Sequence, residues 1–219
     1  GDTSIINSLL RQIADNQHSE IYQVGVSKCL ALLAFGVQDK INTLIDFFLP
    51  YLNFTKFDSQ YTDMERNMLI CFASLTTGIP NDKNGLQMKG ALLERGVVKI
   101  CIVYLLKTAP TIDPDDLKLD SDEMKTFFRK RSLPLVLQVL RGACGGHTES
   151  AQALHSADLL GFLHKLEAVT DVKDIGNLSE DLLDSLKNSG PIVAEALEDL
   201  RKKTREEKRK RAMASRMRQ

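Results

Sequence analysis

Residues 68–106, MLICFASLTTG…GALLERGVVKICIVYLL, and residues 135–166, LVLQVLRGACG…QALHSADLLGFLHKL, read as two copies of one unit. Each runs apolar helix, small-residue break, short helix, sharp turn, apolar helix. Leu92, Gly96, Val97, Val98 and Ile100 align with Leu154, Asp158, Leu159, Leu160 and Phe162 at a constant offset of 62. Gly96 and Asp158 are residue types that tolerate a tight turn between short helices. The first loops of the two copies differ in length by two or three residues. The pattern is that of armadillo or HEAT units, which run about 40–47 residues. Such a unit cannot bury its apolar face alone and must stack on a neighbour. The alternative reading is a single irregular helical bundle.

Working outward, period-3.6 stripes dominate and β-branched alternation is nearly missing, so the fold class is all-α. In IYQVGVSKCLALLAF the apolar residues Ile21, Val24, Cys29, Leu32, Leu33 and Phe35 are taken as the buried stripe. KINTLIDFFLPYL continues through Ile41, Leu44, Ile45 and Phe48, with Pro50 ending that helix or sitting just past it. The segment APTIDPDDLKLDSDEM, residues 109–124, interrupts the repeats. It reads as a surface loop with a short helix capped near Ser121. Its Asp113, Asp115, Asp116 and Asp120 lack the mid-loop Gly and closing Glu of a calcium loop. NDKNG, residues 81–85, reads as a turn.

The 219 residues are 43% hydrophobic and 26% charged, ordinary for a folded chain with a sizeable core. The longest apolar run, VVKICIVYLL, contains Lys99 and spans ten residues, too few to cross a bilayer. With no signal peptide visible, the expectation is a soluble protein of the cytoplasm, with the nucleus as a second compartment, and no membrane partner. Cys29, Cys71, Cys101 and Cys144 are far apart, which points to buried free thiols rather than a disulfide framework or zinc ribbon. Cys144 and His147 form one C-x-x-H pair, and one pair is not a zinc site. Catalytic motifs such as GxSxG, a Walker loop, GxGxxG or HExxH are absent from the sequence.

Charge is segregated. RKKTREEKRKRAMASRMRQ, residues 201–219, holds ten Lys or Arg and two Glu, a formal charge of +8, so residues 1–200 carry −8. We divide the chain into a repeat body, residues 1–190, and a basic C-terminal helix, residues 191–219. Pro191 suits a first helical position. Val193, Ala196, Leu197 and Leu200 form a stripe that docks on the body; beyond Leu200 it stops, so the helix projects. Glu198–Lys202, Asp199–Lys203, Glu206–Lys210 and Glu207–Arg211 are i, i+4 pairs in the favourable order, each worth roughly 0.2–0.5 kcal/mol. Lys202, Lys203, Arg205, Lys208, Arg209, Lys210 and Arg211 are the candidate partner-binding residues. A nucleic acid is disfavoured: the tail has no aromatic residue to stack on bases, and the body is acidic. A calmodulin-type partner would find Leu200 and Met213 thirteen residues apart with nothing large and apolar between them. The bland reading is a solvated linking helix.

Five collinear stretches carry a resemblance: FGVQDKINTLIDFFLPYLNFTKFD, GIPNDKNGLQMKGALLERGV, LPLVLQVLRG, LHKLEAVTDVKDIGNLSEDLLDSLK and TREEKRKRAMASRMRQ. They resemble one part of the giant UBR-box E3 ubiquitin ligases of the calossin, pushover and BIG family, over about residues 30–219. The resemblance implies a scaffold segment of an E3 ubiquitin transferase acting in the N-degron pathway and protein quality control. It also implies a position just before a C-terminal RING-like zinc module. Partners then include other segments of the same ligase, E2 and ubiquitin through that module, a smaller zinc-finger ligase subunit and calmodulin. Zinc belongs to that module, so no cofactor and no catalytic residue is carried onto this chain. The runner-up is a free-standing, non-enzymatic repeat adaptor binding a peptide or calmodulin. An importin-type groove is disfavoured, since the chain has no Trp.

Overall fold

A computed structural model describes residues 2–14, 20–51, 62–109, 132–168 and 173–216. Apolar stripes at helical spacing become helices throughout, and the described residues form eleven, with no strand among them. They are α1 (Asp2–Ala14), α2 (Glu20–Ala34), α3 (Gln38–Phe48), α4 (Thr62–Thr77), α5 (Lys83–Glu94), α6 (Val97–Thr108), α7 (Leu133–Cys144), α8 (Thr148–Ser156), α9 (Leu160–Glu167), α10 (Lys173–Lys187) and α11 (Pro191–Arg216). Pro50 lies in a short 3-10 turn, Leu49–Tyr51, just past α3. The Asp-rich stretch with its cap near Ser121 lies outside the described residues, apart from Ala109.

The helices stack in chain order. α1 packs on α2, α2 on α4, α4 on α7 and α7 on α10. α4 with α5 and α6, and α7 with α8 and α9, are two copies of a three-helix unit. The constant offset of 62 is visible in their geometry. Gly96 and Asp158 both take the left-handed conformation, at φ 87° and 56°. Leu92 and Leu154 are fully buried, as are Val97 and Leu159, and Val98 matches Leu160 in the core. Ile100 and Phe162 both pack partly buried against it. At Gly142 a Cβ would stand 2.5 Å from the Thr76 carbonyl oxygen, so the α4–α7 approach requires glycine. Phe48 meets Phe72 edge-to-face, with ring centroids 6.0 Å apart, joining α3 to α4.

Three local expectations are corrected. The buried face of α2 is Gln23, Val26, Ser27, Leu30, Ala31 and Ala34, while Ile21, Leu32, Leu33 and Phe35 stand exposed. Polar residues take the inward stripe because they find partners: the Asn67 amide of α4 donates to the Gln23 side-chain oxygen at 2.7 Å. The Ser27 hydroxyl donates to the Gln23 carbonyl at 2.9 Å. Cys29 sits on that exposed side, so only three of the four thiols are buried. NDKNG is not a free turn. Asp82 caps α5 by accepting from the Gly85 N–H at 2.8 Å, and the helix begins at Lys83.

Candidate functional site

The basic residues singled out from the sequence lie on α11, a helix of 26 residues and so about 39 Å long. It starts at Pro191, where a missing N–H costs nothing. Val193 and Leu197 are buried, and Ala196 and Leu200 pack partly buried on the core. The helix docks on α8 and α10. Arg201 fastens the end of this docked part, reaching Asp184 at 3.4 Å and Glu167 at 3.8 Å. Glu167 in turn meets the His164 ring at 2.8 Å. Lys202 and Lys203 are exposed beside that anchor. From Arg205 onward every described side chain is exposed, including Lys208, Arg209 and Lys210, and Met213 is 68% exposed. Arg211 belongs to the same helix. The structure therefore brings these residues together as a cationic rod standing off the body, about 18 Å from Arg205 to Arg216.

A second cluster lies where the first loops of successive units stack. The α7–α8 turn is pinned to the α10–α11 turn. The Ser189 hydroxyl donates to the Cys144 carbonyl at 2.8 Å and accepts from the Gly146 N–H at 2.9 Å. The Thr148 hydroxyl donates to the Ser189 carbonyl at 2.7 Å. His147 is the N-cap of α8: its Nδ1 accepts from the Ser150 N–H. CGGH is thus a turn and a cap. Among the described residues no three His, Cys, Asp or Glu side chains gather as a metal centre needs.

Lys89 of α5 completes this junction. Its side chain is 2% exposed, and its ammonium donates to Asn81 Oδ1 and to the Gly145 carbonyl. It ties the α4–α5 loop to the end of α7. Burial lowers the Lys89 pKa below the usual lysine range. Burial pushes the neighbouring Cys144 thiol up to about 12, against the pull of the Lys89 charge. Burial also lowers His147; Glu149 opposes this and Lys89 adds to it. Lys89 lines an open pocket of about 180 Å³ with Gln138 and Arg141 of α7 and Ser185 of α10. Arg141 pairs with Asp181 at 2.9 Å on its half-exposed rim. Sequence reasoning missed Lys89. The available signal was its register: Gly85, Met88, Lys89 and Leu92 fall at helical spacing and are all buried.

Fold and surface together define an all-α helical-repeat segment that ends in a projecting basic helix. The sequence profile of the E3 ubiquitin-protein ligase UBR4 TPR-like domain matches residues 1–203, and the chain belongs to that family of giant, E3-ligase-associated proteins. The matched region ends within α11. Relatives include protein purity of essence of Drosophila pseudoobscura pseudoobscura, 34% identical over 192 residues and 88% of this chain. A probable E3 ubiquitin-protein ligase of Dictyostelium discoideum is 30% identical over 84% of this chain. Auxin transport protein BIG of Oryza sativa subsp. japonica is 28% identical over 87% of it. The chain spans only 4%, 3% and 4% of those proteins' lengths. Two crystallised engineered proteins share the fold at 15% identity, with TM-scores of 0.54 and 0.56. They cover 89% and 91% of this chain, which covers 67% and 41% of theirs. No helix among the described residues is long and apolar enough to cross a membrane.

Proposed function

We propose that this segment is a scaffold within a giant E3 ubiquitin ligase and that α11 sets the position of an adjacent catalytic module. The observation that carries the reading is the division of α11 at Thr204. Its first half is fixed by Val193, Leu197 and the Arg201 ion pairs, and its second half continues the same helix with every described side chain exposed. A helix held firmly at one end transmits orientation as well as distance. In this reading E2 and ubiquitin are engaged by the adjacent module, which also holds the zinc. The setting is N-degron recognition and protein quality control in the cytoplasm and nucleus.

The test uses the full-length ligase. Arg205→Pro removes a backbone donor and clashes with the preceding turn, at a local cost of about 3 kcal/mol. It should impair ubiquitin transfer while leaving the body's unfolding midpoint unchanged. Neutralising Lys208, Arg209 and Lys210 together to Gln should matter less. If the neutral variant abolishes transfer and the Pro variant does not, the tail is a binding surface for an acidic partner and the positional reading fails. Calmodulin is the acidic partner to try first, since exposed Met213 offers an apolar anchor among the cations.

A further inference from the structure

We propose that the pocket beside Lys89 receives the side-chain carboxylate of an acidic residue on a docking protein segment. The argument begins with charge. An ammonium has three N–H donors and a full positive charge. Lys89 spends donors on two neutral oxygens, Asn81 Oδ1 and the Gly145 carbonyl, and among the described residues no carboxylate pairs with it. The end of α7 supplies about half a negative charge through its carbonyls. The carbonyls at the end of α4 lie nearby too, so helix ends offset part of the charge, but no formal negative charge faces Lys89 among the described residues. Arg141, on the same pocket, is a second cation, and Asp181 pairs with it.

The donors identify the occupant. A carboxylate entering the pocket can take the remaining ammonium N–H and the guanidinium N–H groups not used by Asp181, with the Gln138 amide alongside. A carboxylate supplies the ionic partner that Lys89 lacks among the described residues. A phosphate dianion matches less well, because carbonyls at the ends of α4 and α7 lie nearby and repel the second charge. A peptide C-terminus is captured by nests of backbone N–H groups. Here the donors are side chains and Gly145 presents its carbonyl, so an Asp or Glu side chain fits better. The pocket's volume of about 180 Å³ suits such a side chain.

The test is a nuclear magnetic resonance titration of the 219-residue chain at constant ionic strength. The probes are N-acetylglutamate N-methylamide, its glutamine analogue, N-acetylglycine and inorganic phosphate. The glutamate probe should give saturable shifts at the Gly145 amide and the Gln138 side chain in the millimolar range. The glutamine analogue should give none. Arg141→Gln, at a half-exposed position, should weaken the glutamate response at least fivefold, and Lys89→Met should abolish it. Thermal unfolding checks whether Lys89→Met loosens the junction; if it does, Arg141→Gln decides alone. Equal responses to glutamate and glutamine probes, no saturable response, or undiminished affinity in Arg141→Gln overturns the proposal. A stronger response to N-acetylglycine assigns the pocket to a chain terminus, and a response confined to phosphate assigns it to a phosphoryl group. Either result also overturns it.

Discussion

The repeat register makes its sharpest prediction at Val98 and Leu160, which occupy one core position in two units. Val98 is fully buried and Leu160 is 6% exposed. Val98→Ala removes two carbons and Leu160→Ala three. At about 0.8 kcal/mol per buried carbon, the lost transfer energy is about 1.6 and 2.4 kcal/mol. A cavity that relaxes only partly adds about 24 cal/mol per Å³, so the totals come to about 2–3 and 3–4 kcal/mol. Lys99, one residue from Val98, is exposed, and Lys99→Ala should stay within about 0.5 kcal/mol of the parent. The assay is urea unfolding followed by circular dichroism, with the slope held common to all variants. Both core variants should lower the midpoint while the lysine control does not. An unchanged midpoint for both would refute the offset of 62 and the two-copy architecture with it. A fall in only one would mean that one unit is packed differently from the other.

Gly96→Ala tests the matched turn itself. The added Cβ meets nothing within 4 Å, so the cost is conformational, about 1–2 kcal/mol at φ 87°, and a neutral midpoint would contradict the left-handed turn. Glu65, on α4, gives the pH prediction: burial raises its pKa from the usual 4.5 to about 7. The folded state therefore favours the protonated form, and this contribution is complete below about pH 4.5 and lost as pH rises through about 7. Allowing for solvent screening at a half-buried carboxyl, the loss is on the order of 1 kcal/mol. Glu65→Gln should flatten the stability profile between pH 5 and about 7.5; parallel profiles for parent and variant would remove Glu65 as the cause.

What the sequence made legible were features that depend on local periodicity. The apolar stripe of α3, the αL turns at Gly96 and Asp158, and the start of α11 at Pro191 are set within a few residues of themselves. The face of α2 was not legible, because both sides of that helix carry apolar residues. The choice between them was made by Asn67, 44 residues away, whose amide satisfies Gln23 and lets a polar residue turn inward. Lys89 was hidden for a related reason. A lysine in a helix reads as surface until the loop at Asn81 and the turn at Gly145 are known to converge on it.

The tail was legible because its physics is local, and the same physics explains why an acidic body does not draw it back. Folding the rod onto the body would require breaking α11 near Thr204, losing the backbone hydrogen bonds that span the break, each worth about 0.5–1.5 kcal/mol. Against that, an exposed ion pair returns about 0–1 kcal/mol, and at physiological salt the attraction fades beyond about 8 Å. Arg201 takes the two carboxylates within its reach, Glu167 and Asp184, without any break in the helix. The cations beyond it gain too little from the body to repay bending. They are left facing outward, as the positional role proposed for α11 requires.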